Sequence, residues 1–154
     1  MSAVILNRRQ WLLGMGAVPV CGWAGAGALP KKDRVDIAMD RGAGFIQKMQ
    51  EVNGAFNDPK ARESARNGYA MTALGLLSLA SIGHQPSDPG KIGASMGRAL
   101  DFILRNDPRR GEYEYFGSDG SRMYGHGITT LCLTEMMGMA VSKRQEARIR
   151  SVAQ

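Results

Sequence analysis

The chain has 154 residues, 44% of them hydrophobic, and a formal net charge of +6. That length and apolar content fit one globular domain with a real core and exclude a disordered chain. The charge is scattered, basic runs such as Arg109-Arg110 are short, and no nucleic-acid-binding motif accompanies them, so no nucleic-acid partner is expected.

Residues 7 to 30, NRRQWLLGMGAVPVCGWAGAGALP, form the first element. Arg8 and Arg9 precede an uncharged, moderately apolar run that exits through small residues, with Ala24-Gly25-Ala26 and Ala26-Gly27-Ala28 as cleavage candidates. The pattern predicts a twin-arginine export signal over 1–30. The mature protein is then expected outside the cytoplasm, in the periplasm or beyond, and meets the membrane only transiently unless the signal stays uncleaved. Five glycines and a proline between residues 13 and 28 argue against a buried helix there. If cleavage removes Cys21, Cys132 remains alone, so no internal disulfide is expected.

Residues 31–142 repeat. Residues 38 to 83, moved by 57 positions, fall on 95 to 140 without a gap and with ten identities. Among them are Met39/Met96, Arg41/Arg98, Phe45/Phe102, Ile46/Ile103, Gly54/Gly111, Gly68/Gly125, Thr72/Thr129 and Leu74/Leu131. Each unit reads as two helices, which makes the fold all-α. The first spans about Asp33 to Gln50, with Val35, Ala38, Met39, Phe45, Ile46 and Met49 as its apolar side. The second spans about Ser64 to Ser81. Its charge-free stretch YAMTALGLLSLA predicts burial on most sides, and Gly83 with Pro86 ends it. In the second unit Met96, Ala99, Leu100, Phe102 and Ile103 mark the outer helix, and GITTLCLTEMMGMA the buried inner one. Four main helices, paired as two hairpins with no sheet, are expected. Residues 143–154 read as the start of a third unit or as a partial cap.

Arg41-Gly42, Phe45-Ile46, Gln50, Gly54 and Phe56 have the spacing of a QW motif. By these residues the chain resembles the prenyltransferase and squalene-cyclase (squalene oxidase) repeat superfamily, whose α/α toroids are built from such hairpins. The resemblance implies that Gln50 and Phe56, the latter in place of the usual Trp, tie one helix end to the next hairpin. In the second copy the Gln position is Asp107 and the aromatic is Tyr113 behind Gly111, so that copy is degenerate. The resemblance also implies a partial toroid, since two units do not close a ring. Either further units follow, or the chain completes its core by self-association.

The same resemblance directs the search for chemistry. The cyclases' D-x-D-D acid motif has no match among the aspartates here. The Asp-x-Cys zinc position falls on Asn67-Gly68-Tyr69, which supplies neither carboxylate nor thiolate, whereas the histidine position matches His126. One imidazole does not make a zinc site, so no metal or other cofactor is expected. His126 reads as a packing or capping residue or, with Tyr124 and Tyr69, as a weak ligand contact at the rim of the inner helices. The expected function is an exported, non-catalytic repeat module that binds a protein partner, a second copy or an apolar small molecule. The alternative is the N-terminal part of a cyclase- or transferase-like enzyme whose catalytic motif lies outside this chain.

Overall fold

The computed structural model describes residues 33–57, 67–105, 109–110 and 113–153. Arg8, Arg9 and the rest of the expected signal segment lie outside the described residues, as does Gly111.

The fold is all-α. Five helices follow in order: α1 (Arg34–Lys48), α2 (Gly68–Ser81), α3 (Lys91–Arg105), α4 (Arg122–Glu135) and α5 (Lys143–Val152). The expected four helices are thus joined by a fifth. Ser142 starts α5 by accepting a hydrogen bond from the Gln145 amide, and Ile149 and Gln145 bury against the rest. Between α3 and α4 the chain adds one antiparallel rung, β1 (Arg109–Arg110) with β2 (Tyr113–Glu114), and a 3₁₀ turn at Phe116–Asp119. This rung is the only pairing of strands among the described residues, where the sequence predicts none.

The helix ends follow local chemistry. Asp33 and Asp36 form a reciprocal capping box at the start of α1. Gly83 takes a φ of 96°, and its N–H reaches Ala80 O while that of His84 reaches Leu79 O. These two bonds close α2 with the left-handed turn that glycine tolerates.

The two inner helices, α2 and α4, pack side by side, and α3 lies across α2. Helix α1 leans on α3, while α5 touches both α3 and α4. The bounds of α1 and α3 are 57 residues apart at both ends, from Arg34 to Lys91 and from Lys48 to Arg105. The core between the layers holds Leu76, Leu79, Met96, Leu100, Ile103, Leu133, Met136 and Ile149, all fully buried.

Two expectations about the faces need correction. Phe45 and Val35 do not belong to the buried side of α1: they are 59% and 62% exposed. The inward side is set by Ala43, with Met39 and Ile46 partly covered. Phe45 is two residues from Ala43, which places it on the far side of the helix. The inner helices are also less enclosed than their composition predicts. Met71 and Leu74 on α2, and Met123, Tyr124 and Leu131 on α4, are exposed. Each inner helix is covered by α3 or α5 and by its inner neighbour, and nothing described lies over the remaining side. Finally, α4 begins at Arg122, five residues ahead of the expected GITTLC stretch, so His126 lies in its second turn.

Candidate functional site

The end of α1 builds the most connected polar site. Gln50 follows the helix and forms an isolated antiparallel bridge with Phe56, which folds the intervening residues into a tight turn. The Gln50 amide nitrogen donates to the carbonyls of Gly54 (3.0 Å) and Ser95 (2.8 Å). Its oxygen accepts from the Ser95 hydroxyl at 2.8 Å and from the Arg98 guanidinium. One side chain therefore spans from its own turn to the next outer helix. Gly54 has a φ of 102°, and a Cβ there would sit 2.4 Å from Arg98 O. No other residue combines that backbone with that approach. Phe56 is buried, donates its N–H to Thr72 Oγ1 at 3.1 Å and packs its ring against Gly75, where a Cβ would meet it at 2.6 Å. Gln50, Gly54, Phe56, Arg98 and the partly buried Phe102 thus come together around one turn, joining α1 to its own hairpin partner α2 and to the next outer helix α3.

The second copy differs. Thr129, the repeat mate of Thr72, is fully buried, but its hydroxyl has no partner. Tyr113, the mate of Phe56, is the first residue of β2. Instead Gln145 on α5 reaches back to α3, donating to Asp101 Oδ1 at 2.7 Å and to Gly97 O at 3.5 Å. Arg148 pairs with Glu114 at 2.8 Å. Helix α5 is therefore held against α3 and β2 through contacts that the repeat pattern does not contain.

The starts of the inner helices carry a cluster of rings. Tyr69 sits 5.7 Å from Phe102 and 5.6 Å from Phe116, ring centre to ring centre. Phe116 stacks at 6.3 Å on His126, which also lies 5.5 Å from Tyr115. His126 Nδ1 accepts a long bond from the Phe116 amide at 3.5 Å, so its Nε2 is the nitrogen left for other contacts. Asp119 ties the cluster to both inner helices. Its carboxylate accepts the Tyr69 amide at 2.9 Å and also the amide and hydroxyl of Ser121. Helix α2 has no side-chain cap of its own, so this carboxylate from the next hairpin serves as one. Burial, and secondarily the Asp119 charge, pushes the Tyr69 phenol up from its ordinary value.

His126 and Tyr69 therefore share one cluster through Phe116. Tyr124 does not join it: the residue is 86% exposed, turned away with Met123. Two helix residues so spaced point to nearly opposite sides. Among the described residues no three His, Cys, Asp or Glu groups are placed to hold a metal ion. Sequence reasoning missed Ser95, Asp119 and Gln145. Ser95 and Asp119 make their bonds across about 45 to 50 residues of chain, a distance no local pattern encodes. The Thr72/Thr129 identity was the one signal that a buried hydroxyl matters. A groove of about 770 Å³ runs between α3 and α5, past Asp101, Leu104, Arg105, Arg144, Gln145 and Arg148, and no residue of an inner helix lines it.

Fold and site together define an all-α protein held by interhelical side-chain latches. Comparison with protein-family models, with curated proteins and with solved structures gives no match.

Proposed function

We propose that this chain is an exported, non-catalytic helical-repeat module of the prenyltransferase and squalene-cyclase type. It binds a protein partner or an apolar ligand along the open side of its two inner helices. The observation that carries this reading is the exposure of Met71, Leu74, Met123, Tyr124 and Leu131 on helices that otherwise form the core. Apolar side chains left exposed on two helices that pack side by side offer the kind of surface a contact site uses. The Gln50 turn supports the repeat assignment, because it joins consecutive hairpins with the residues that the resemblance implies.

The test is binding of an apolar fluorescent dye, together with light scattering at low micromolar concentration. The intact protein is expected to bind dye, to self-associate, or both. Leu74→Asp with Leu131→Asp should remove either behaviour while leaving the helical signal unchanged. A monodisperse monomer that binds no dye would refute the reading. Export is tested separately: Arg8→Lys with Arg9→Lys should hold the precursor in the cytoplasm.

A further inference from the structure

The outward side of the outer helices has a regular charge pattern that the inner-face function leaves unused. On α1 the cations Arg34, Arg41 and Lys48 stand seven residues apart, and all three are exposed. On α3 the cations Lys91, Arg98 and Arg105 stand at the equivalent positions, seven apart and exposed. Seven residues are nearly two helical turns, so each set forms a gently inclined row along one side of its helix. Both rows lie opposite the buried sides, marked by Ala43 on α1 and by Met96, Ala99, Leu100 and Ile103 on α3.

The acids of α1 stand off its cation row. Asp33 and Asp36 accept backbone amides in the capping box and keep their charge, but they lie toward the Ala43 side of the helix. Asp40 lies on the flank of α1 between the cation row and the buried side. Asp101 shares the exposed side of α3, but one of its oxygens is taken by Gln145. Arg98 gives one nitrogen to Gln50 and Arg105 gives its Nε to the Asp101 carbonyl. Arg34, Arg41 and Lys48 form no ion pair with any described residue.

On α1 the cations are interleaved with apolar side chains. Ile37 and Phe45 are exposed on the same side, and a shallow hollow of about 450 Å³ lies among Arg34, Ile37, Ala38 and Arg41. A solvated helix face has no use for an exposed phenylalanine between two cations. A surface that is both anionic and apolar just beneath its charges accommodates both.

We propose that the outward side of α1, extended by the cation row of α3, docks on a bilayer surface rich in anionic phospholipid. Arg34, Arg41 and Lys48 meet the headgroup phosphates, while Ile37 and Phe45 enter the boundary of the acyl chains. The cations supply the attraction and the apolar pair distinguishes a bilayer from a soluble acidic protein.

The test is co-sedimentation of the full chain with vesicles of phosphatidylglycerol and phosphatidylcholine, mixed about one to two, against vesicles of phosphatidylcholine alone. The N-terminal segment, with Arg8 and Arg9, is common to parent and variants, so its contribution cancels when they are compared on the same vesicles. Binding is expected to be stronger to the anionic vesicles and to weaken with added salt. Replacing Arg34, Arg41 and Lys48 by Gln should lower partition onto the anionic vesicles about a hundredfold. The pair Ile37→Ser and Phe45→Ser should lower it on those vesicles and leave binding to soluble polyglutamate unchanged. Circular dichroism and the urea midpoint of each variant establish that it is folded. Equal partition of parent and triple variant would overturn the proposal, as would indifference to lipid charge. Binding to polyglutamate as tight as to vesicles, with no loss in the serine pair, would instead assign the surface to an acidic protein. A variant that loses vesicle binding but keeps dye binding on the inner face separates this surface from the proposed function.

Discussion

Gln50→Ala removes the one side chain that joins α1, its turn and α3. The substitution leaves the Gly54 carbonyl and the Ser95 hydroxyl without these partners and takes the second bond from the Ser95 carbonyl, which keeps its place in the α3 ladder. Ser95 is fully buried and Gly54 nearly so, so water does not replace those bonds without rearrangement. A buried polar group left unpaired costs about 1–3 kcal/mol. Two such groups, with some relief as water enters the vacated space, put the loss at about 2–3 kcal/mol. Domains of this size are stable by about 5–15 kcal/mol, so the loss is a large fraction. The assay is urea unfolding followed by circular dichroism, with Gln47→Ala as the control. Gln47 lies three residues earlier, in the last turn of α1, and only its backbone meets Gln50, so replacing its side chain should cost less than about 0.5 kcal/mol. The Gln50 variant should unfold at clearly lower urea with an unchanged slope. Gln50→Glu keeps the acceptor for Arg98 but loses the two donated bonds, and should be destabilised at neutral pH with partial recovery in acid as the carboxyl regains a proton. If Gln50→Ala and Gln47→Ala unfold alike, the latch does not hold the hairpins together and the reasoning fails.

Gly54→Ala should cost about 2–4 kcal/mol, because a Cβ would lie 2.4 Å from Arg98 O on a backbone of φ 102°. Gly42→Ala should instead stabilise by about 0.5–1 kcal/mol, since that helix position opens onto empty space; the two urea midpoints, moving in opposite directions, check both. Stability should fall as pH rises from 9.0 through about 12. Burial, and secondarily Glu135, pushes the Cys132 thiol up to about 12, so the unfolded chain loses that proton first; Cys132→Ala should flatten the fall, seen in unfolding midpoints across that range. The same thiol should react with a disulfide reagent at pH 8 only as fast as the protein opens. Asp119→Asn should bring the Tyr69 phenol part of the way down toward its ordinary 10.0 and no further, because burial is the larger cause; ultraviolet titration reads the shift.

The chain determines its helices locally. Apolar spacing, the Asp33 box, Gly83 and the glycine at 54 fix where elements start, stop and turn, because each acts through neighbours a few residues away. The motif spacing also singled out Gln50, Gly54 and Phe56, and the repeat Arg98, the residues that the structure gathers at one turn. What the sequence could not decide is which side of a helix meets another. Phe45 and Phe102 occupy the same repeat position, yet Phe45 is exposed and Phe102 packs against the core beside Tyr69. The difference is that α3 lies between α1 and α5, whereas α1 leans on α3 from the outside. In the same way Thr72 receives the Phe56 amide and Thr129 receives none, although the repeat makes them equivalent. Asp119 caps a helix 50 residues earlier in the chain, and Gln145 anchors α5 to an acid 44 residues before it. Period and propensity carry no information about partners that far away. Only the packing of the hairpins, which brings those groups within hydrogen-bonding reach, decides them.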